Sequence, residues 1–322
     1  MKTYTIAAIP GDGIGTEVIS AGVEVLQALA RRNGNFAFKV DHFDWGGEYY
    51  KKHGRMMPAN GRDLIRKHDA ILFGSAGHPD IPDHVTLWGL RLAICQPFDQ
   101  YANVRPTRVL PGITSPLRSV NDKELDWVIV RENSEGEYAG VGGRVHQGSP
   151  LEAATDVAMF TRPGVERIMR FAFRLAQSRP RKLLTVVTKS NAQRHAMVMW
   201  DEIAVEIAAE FPDVGWDKML VDAMTMRMVM RPQSIDTVVA TNLHADILSD
   251  LAAELSNTID DPYTRDRLLT LVAEQCAQDA DDDYALQLAD AVEDHGLRSQ
   301  AFERVALRQA ARGQFDRARE VA

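Results

Sequence analysis

Short apolar runs alternate with amphipathic stretches along most of the chain. Residues 4–9 form an apolar run typical of a buried strand, and residues 10–15 form a glycine-rich turn. Val18, Gly22, Val25 and Leu29 then recur at helical spacing. The pattern predicts a strand, a tight turn and a helix, with these four residues forming the apolar face of the helix.

Further apolar runs continue this alternation. They lie at residues 70–73, 127–130, 183–187 and 237–240, and helix-like stretches occur at 165–177 and 196–210. Segments that alternate in this way are typical of helices packed on a largely parallel sheet. We therefore predict an α/β fold for this part of the chain.

The character of the sequence changes near Leu255. Lys218 is the last lysine, glycine becomes rare, and the remaining sequence is helix-like throughout. Residues 259–289 align with residues 292–322 at a period of 33, so one apolar helix face occurs twice. This predicts a tail of stacked helical hairpins, although two unrelated amphipathic helices could give the same match. About three repeats are usually needed for independent stability, so we expect the tail to rely on other contacts.

Composition limits the classes of partner. The net charge of −8 disfavours nucleic acid, and no apolar run approaches the length of a membrane span. The two cysteines, Cys95 and Cys276, match no disulfide framework or metal pattern, and the N-terminus shows no leader segment. We expect a cytoplasmic protein that binds a small molecule, with no nucleic-acid or membrane partner.

The turn after the first predicted strand is a candidate phosphate cradle. It reads Gly11, Asp12, Gly13, Ile14, Gly15, and glycines before a helix let a dinucleotide approach the backbone. However, the spacing is GxGxG rather than GxGxxG. A purely structural tight turn explains the sequence about equally well.

Two aspartates form a candidate metal site. Asp246 and Asp250 are four residues apart and share one face of a predicted helix, where like charges repel unless a cation or a basic partner compensates. Carboxylate oxygens suit Mg²⁺ or Mn²⁺. The alternative is that acidic residues early in a helix simply favour its dipole. We interpret the neighbouring His244 as a turn or packing residue.

Five segments occur in the order found in the isocitrate/isopropylmalate dehydrogenase family. They are residues 8–15 (AIPGDGIG), 101–106 (YANVRP), 130–138 (VRENSEGEY), 188–191 (TKSN) and 242–250 (NLHADILSD). The chain resembles this family from its first residue to about residue 255. Residues 44–46, 49–54 and 98–101 are most similar to the branch that contains the tartrate dehydrogenases/decarboxylases and D-malate dehydrogenases.

The resemblance implies an isopropylmalate-dehydrogenase-like α/β fold followed by the all-α helical-repeat tail. It places a first α/β domain on the cofactor side at residues 1–100, although an incomplete one, and a second domain with metal, substrate and dimer residues at 101–255. Residues 256–322 form the tail. It also implies a homodimer in which Asp246 and Asp250 of one subunit bind Mn²⁺ or Mg²⁺ together with Asp222 of the other.

The implied reaction is NAD-linked oxidation of a small 2-hydroxy dicarboxylate such as tartrate or D-malate, with or without decarboxylation. Lys189, which the partner subunit would supply, and Tyr138 are the implied catalytic residues, which move protons to and from the substrate. In the same resemblance, Gly11, Asp12, Gly13, Ile14 and Asn191 contact NAD.

Arginines are the implied substrate clamps. Arg105 and Arg131 match family arginines that bind carboxylates, for which a planar guanidinium group is suited. Relatives carry a further arginine where this chain has Cys95, and Arg91, one helical turn earlier, is a candidate replacement.

The resemblance ends with the tail. The family continues with a His-Gly-Ser-Ala-Pro-Asp type loop and an Asn-Pro segment that bind the NAD adenosine, and this chain has neither. The alternative hypothesis is therefore an impaired chimera, or an interaction protein with a vestigial dehydrogenase site, in which the tail binds a protein partner.

Overall fold

A computed structural model describes residues 2–109, 115–117, 125–256, 282–292 and 294–321, together with positions 266, 270, 273, 274 and 277. The chain divides into two compact units, Met1–Tyr101 and Ala102–Ala322. Contacts within the second unit include the tail helices, so a separate tail domain stays a prediction.

The first unit is built on a three-stranded parallel sheet. Its elements are β1 (Lys2–Gly11), α1 (Gly15–Asn33), β2 (Phe36–His42), α2 (Gly47–His53), α3 (Gly61–Ile65) and β3 (Ala70–Ser75). The strand order is β2-β1-β3, so β1 has a neighbour on each side. A continuous helical stretch follows: α4 (Asp83–Thr86), a π-helical turn (Leu87–Arg91) and α5 (Leu92–Cys95).

The face of α1 that packs on the sheet differs from the predicted one. Val18, Val25 and Leu29 are exposed, whereas Gly15, Ile19 and Ala30 are buried. A Cβ on Gly15 would lie 2.2 Å from the Pro10 carbonyl oxygen, so the backbone of the first turn approaches β1 too closely for any other residue. This contact sets which side of the helix faces inward. The prediction from the apolar stripe was therefore wrong for three of its four residues.

The second unit contains a five-stranded sheet in the order β4-β5-β10-β8-β9. Its elements begin with β4 (Ala102–Arg108), β5 (Asp126–Glu132), β6 (Gly136–Val145), β7 (Ala153–Met159), α6 (Arg162–Ser178), β8 (Leu183–Thr188) and α7 (Ala196–Ala208). They continue with β9 (Gly215–Leu220), α8 (Val221–Met230), a 3-10 turn (Pro232–Ser234), β10 (Thr237–Ala240) and α9 (Asn242–Ser256).

Only one strand of this sheet departs from the parallel arrangement. β4 runs antiparallel to β5 at one edge, and the other pairs are parallel. β6 and β7 form a separate antiparallel hairpin. The predicted α/β class with a largely parallel sheet is confirmed.

The core of the second unit lies between the sheet and α8 and α9. Trp127, Ile129, Val238, Met224 and Leu248 are buried together in it. The indole N–H of Trp127 donates to the Pro232 carbonyl oxygen at 2.9 Å, so the ring is buried without an unpaired donor. The core therefore anchors the two helices that carry the predicted metal ligands.

The tail is helical, as predicted. Its fully described helices are α10 (Asp282–Asp290), α11 (His295–Ala311) and α12 (Phe315–Val321). The Asp294 carboxylate caps α11 by accepting from the Leu297 N–H at 2.8 Å. Small side chains such as Ala273, Ala285 and Ala301 form a cluster distinct from the sheet core. Within the helices that the structure describes, none combines the length and apolar character that a membrane span requires.

The ion pair between Arg179 and the buried Asp236, which directly precedes β10, provides a stability test. The Asp236 carboxylate is buried and accepts from Arg179 Nε at 2.7 Å and from the Leu183 N–H at 3.3 Å. Asp236→Ala removes the buried carboxylate and leaves Arg179 with the more exposed Asp126, 3.3 Å away, as its counter-charge, so we expect a loss of about 1–3 kcal/mol in the free energy of unfolding. Urea denaturation measures it. Asp213→Ala, which breaks a surface pair with Lys182, is the matched control and should hardly move the midpoint. Equal losses in the free energy of unfolding for Asp236→Ala and Asp213→Ala would show that burial of the Asp236 pair does not matter for stability.

Candidate active site

The predicted metal ligands lie on the helix that follows the central strand β10. α9 begins at Asn242, directly after the strand, and its Ala245, Leu248 and Ala252 are buried against the core. The opposite side of the helix presents Asp246, which is about one-third exposed, and the exposed Asp250. Both aspartates lie within the single helix α9, so their four-residue spacing places them on the same side of it, as predicted.

Two predicted substrate residues converge on Asp246. Arg105 projects from β4 and Arg131 from the adjacent strand β5. Both guanidinium groups donate to Asp246 Oδ1, from Arg105 Nη1 at 3.3 Å and from Arg131 Nη1 over a shorter distance. Arg131 also donates to Asn242 Oδ1, and Arg105 to Ser249 Oγ. Three residues that are distant in sequence thus form one cluster.

Burial makes this cluster depend on a counter-charge. The Arg131 side chain is only 2% exposed, so its charge needs a counter-charge nearby. Asp246 provides that charge, and the Tyr138 ring of β6 lies against the guanidinium group, with 5.6 Å between Arg131 Cζ and the ring centroid. The predicted catalytic tyrosine is therefore held beside the predicted substrate arginine.

Lys189 and Asp222 form a second group. Lys189 follows β8 and Asp222 lies in the first turn of α8, after the neighbouring strand β9. The ammonium group of Lys189 donates to Asp222 Oδ1 at 2.7 Å, and this hydrogen bond is the main reason that the pKa of Asp222 lies below its usual value. The two residues that the resemblance assigns to the partner subunit are thus paired with each other.

The three predicted metal ligands do not form one cluster within a single chain. Over the part of the chain that the structure describes, no three His, Cys, Asp or Glu side chains are close enough together to hold a metal ion. Asp250 is exposed, and its carboxylate makes no hydrogen bond or ion pair among these residues. Within one chain, Asp246 and Asp250 lie together on α9, whereas Asp222 lies apart from them on α8.

The sequence interpretation of His244 as a turn or packing residue did not include its charged neighbours. His244 is buried, and burial is the main cause that lowers its pKa; the Glu137 carboxylate opposes this shift and the Lys189 charge adds to it. Thr241 Oγ1 donates to Glu137 Oε1 at 3.3 Å. His244 thus lies within electrostatic reach of Glu137 and Lys189. Helical spacing from Asp246 could have identified Asn242 and Ser249 as its neighbours, but it gives no information about Glu137.

Asp12 has a structural role in the glycine-rich turn. Its carboxylate is buried and accepts from the Gly47 N–H at 2.5 Å and from the Gly77 N–H at 3.1 Å, so it joins three loops of the first unit. A Cβ on Gly11 would lie 1.8 Å from the Ser75 carbonyl oxygen. Close packing thus accounts for this glycine without a ligand. Gly13 and Ile14 are exposed, and their contact with NAD stays a prediction.

The remaining predicted residues lie near the ends of elements. Asn191 is exposed in the turn after Lys189, and Arg91 is partly buried in the π-helical turn. Cys95, at the position of a family arginine, is buried in the first unit. The cofactor role of Asn191 and the substrate role of Arg91 also stay predictions.

Comparison with known proteins identifies the family. A sequence profile described as isocitrate/isopropylmalate dehydrogenase matches residues 5–259. The chain belongs to the isocitrate/isopropylmalate dehydrogenase family. The resemblance predicted from the sequence motifs is thereby confirmed, and residues 260–322 lie beyond the matched region.

Curated members of this family include close relatives. A probable tartrate dehydrogenase/decarboxylase of Agrobacterium vitis is 70% identical over 259 residues, which cover 80% of this chain and 72% of the relative. The D-malate dehydrogenase [decarboxylating] of Escherichia coli K12 is 49% identical over 261 residues, covering 80% and 72%.

Two solved structures have a similar fold. An isocitrate dehydrogenase from Methylococcus capsulatus aligns with a TM-score of 0.67 at 29% identity, over 98% of this chain and 88% of that one. The TT0538 protein of Thermus thermophilus aligns with a TM-score of 0.66 at 32% identity, over 78% of this chain. The aligned part spans about half, 48%, of the Thermus protein.

The Lys189–Asp222 hydrogen bond gives a pH-dependent prediction for this family member. Lys189→Met should raise the pKa of Asp222 towards its ordinary value, and carboxyl-resolved NMR titration measures it. Because the folded-state pKa is lowered, the stability from this pair is present above the ordinary pKa of about 3.9 and is lost as the pH falls through the lowered value. As a control, Lys182→Met should raise the pKa of Asp213 and leave the pKa of Asp222 unchanged. If the pKa of Asp222 is the same in Lys189→Met as in the unmodified chain, the hydrogen bond between Lys189 and Asp222 does not form.

Proposed function

We propose that this chain catalyses the metal-dependent, NAD-linked oxidation of a small 2-hydroxy dicarboxylate such as D-malate or tartrate, with or without loss of carbon dioxide. The convergence of Arg105 and Arg131 on Asp246, beside Asp250, carries the proposal. The relatives in the same family are named as dehydrogenases that act on these hydroxy acids, which supports it.

The charges of the site suit a doubly negative substrate. The predicted site has three positive and three negative side chains. The positive ones are Arg105, Arg131 and Lys189, and the negative ones are Asp222, Asp246 and Asp250. A bound divalent cation would leave two positive charges in excess, which match the two carboxylates of malate or tartrate. Guanidinium groups bind carboxylates through paired hydrogen bonds, so Arg105 and Arg131 would orient the substrate.

The acidic residues fit a hard divalent cation. Asp246 and Asp250 offer carboxylate oxygens from one helix face, and Asp222 of a second copy would complete the set. Mg²⁺ or Mn²⁺ held there would supply Lewis-acid stabilisation of charge on the substrate hydroxyl oxygen. NAD would accept the hydride, as the resemblance implies.

Proton transfers fall to two residues of the chain. Lys189 Nζ would first release one of its protons to solvent and then, as the neutral amine, take up the proton of the substrate hydroxyl; its hydrogen bond to Asp222 fixes its position. The Tyr138 hydroxyl would donate a proton to the carbon that loses carbon dioxide. The contact of its ring with Arg131 keeps the tyrosine beside the group that binds the substrate.

A second copy would bring the separated residues together. α8 and α9, which carry Asp222 and Asp246, also expose large apolar side chains: Met226, Met230 and Ile247 are each more than half exposed. Apolar exposure on neighbouring helices favours pairing with an equivalent surface. We therefore propose a homodimer with shared active sites.

The direct test is turnover. We expect the full chain to form NADH from D-malate, meso-tartrate or (+)-tartrate when Mn²⁺ or Mg²⁺ is present, and a chelator to abolish the reaction. Asp246→Asn removes a metal ligand and the partner of Arg131, so turnover should fall by roughly 100-fold or more. Asp213→Asn, at a remote surface pair, is the control. No NADH from any of the substrates, together with no thermal shift on adding NAD⁺, would overturn the proposal.

Mixed dimers test the shared site. Asp246→Asn and Lys189→Met should each be inactive alone, because each spoils both sites of its own dimer. After joint unfolding and refolding, random pairing should restore about one-quarter of wild-type activity, since half of the dimers then contain one intact site. Native mass spectrometry verifies that mixed dimers form. Mixed dimers without activity would show that each site lies within one subunit.

A further inference from the structure

The helical tail carries an open apolar groove between α11 and α12. The groove has a volume of about 550 Å³ and is lined by residues that include Phe302, Ala306, Ala310 and Ala318. Leu307 and Phe315 on its walls are 62% and 63% exposed. Apolar side chains of this size cost free energy when they face water, so the groove is suited to being covered.

The sequence repeat identifies the surface to which this groove corresponds. Each groove residue has a counterpart in the preceding repeat, 33 positions earlier in the sequence. The counterparts whose burial the structure describes are largely shielded from solvent. The six most enclosed are each at most 5% exposed: Asp266, Thr270, Ala273, Ala277, Asp282 and Ala285. They precede Ser299, Glu303, Ala306, Ala310, Phe315 and Ala318 of the groove. The groove is therefore the second copy of a surface that is covered in the first repeat.

A helix covers the first copy of this surface. Leu297, Ala301 and Val305 of α11 pack in one cluster with Ala273 and Ala285. The backbone takes part as well: the Asp294 N–H donates to Asp266 Oδ2 at 2.6 Å, and Thr270 Oγ1 donates to the Leu297 carbonyl oxygen at 3.4 Å. Because stacked repeats cover each unit with the next helix, the groove is shaped for a helix like α11.

Two differences between the repeats define the chemistry of that helix. Glu274 accepts hydrogen bonds from Arg304 and Arg308 of α11, both at 2.7 Å. The residue 33 positions later is Leu307, so arginines at these helix positions would meet an apolar side chain.

The second acidic position changes in the same way. Asp282 forms ion pairs with Arg312 and Arg317, and its counterpart in the groove is Phe315. The second copy of the surface has thus exchanged two acidic positions for apolar ones, and a helix that fits it needs fewer arginines.

We propose that α11 and α12 bind an amphipathic helix of another protein. That helix carries small or aliphatic side chains at every fourth residue, like Leu297, Ala301 and Val305. It carries aliphatic side chains where α11 has Arg304 and Arg308. The tail is then a helix-binding module, and this role is independent of the dehydrogenase reaction.

A peptide with the sequence of α11 provides the probe. It spans residues 294–312 with Arg304→Leu and Arg308→Leu, and a lactam joins Ser299→Lys to Glu303 so that the peptide is helical before it binds. Fluorescence anisotropy measures its binding to the full chain. A second peptide with the same lactam keeps both arginines. The full chain should bind the leucine peptide saturably and at least about tenfold more tightly than the arginine peptide, because Leu307 stands where Glu274 pairs with both arginines in the first repeat.

Leu307→Glu in the full chain should reverse the preference. This change restores the acidic group that Glu274 provides in the first repeat, so the arginine peptide should become the tighter ligand. Leu307 is exposed, so the substitution leaves the core of the tail intact. Leu151→Glu, at an exposed leucine of the other part of the second unit, is the control and should leave both affinities unchanged.

Other outcomes overturn the proposal. Absence of saturable binding by either peptide, or affinities that Leu307→Glu does not change, would show that the groove does not accept a helix. If the full chain forms an oligomer that Leu307→Glu dissociates, a second copy covers the groove instead of another protein. NADH formation by the same variants is measured in parallel, so a failure of the dehydrogenase proposal is distinguished from a failure of this one.

Discussion

The arrangement of the active-site half depends on the neutralisation of one buried guanidinium group. Arg131 is almost completely buried at the end of β5, and a charge in that position is stable only with a counter-charge. Asp246 supplies it, while Asn242 accepts a second hydrogen bond. Because both partners belong to the first turns of α9, this requirement fixes the helix against the sheet. The same contact places Asp250 on the outer face and Tyr138 beside the guanidinium group.

This arrangement explains why the site is divided. Parallel strands β10, β8 and β9 lie side by side, and the residues that follow them carry Asp246, Lys189 and Asp222 in turn. Lys189 and Asp222 neutralise each other, whereas Asp250 remains exposed. In the proposed dimer, α9 of one copy would offer half of a cation site and α8 of the other copy would offer a further acidic ligand.

The sequence allowed the α/β class, the helix of Asp246 and Asp250, and the helical tail to be predicted, because each depends on local periodicity or on a motif. It did not indicate which stripe of α1 faces the sheet, since that depends on the close approach of Gly15 to β1. It also did not indicate that the buried His244 lies near Glu137 and Lys189. Those residues are far apart in the chain, and only the packing of β6, β8 and α9 brings them together.

The central claim is that α9 of one subunit and α8 of another hold one divalent cation. A crystal structure of the full chain with Mn²⁺ and D-malate, with the metal located by anomalous scattering, tests it most directly. The account predicts a manganese peak bounded by Asp246 and Asp250 of one subunit and Asp222 of the other, with the substrate carboxylates at Arg105 and Arg131. A peak elsewhere, or one ligated by Asp222 of the same subunit as Asp246, would contradict it.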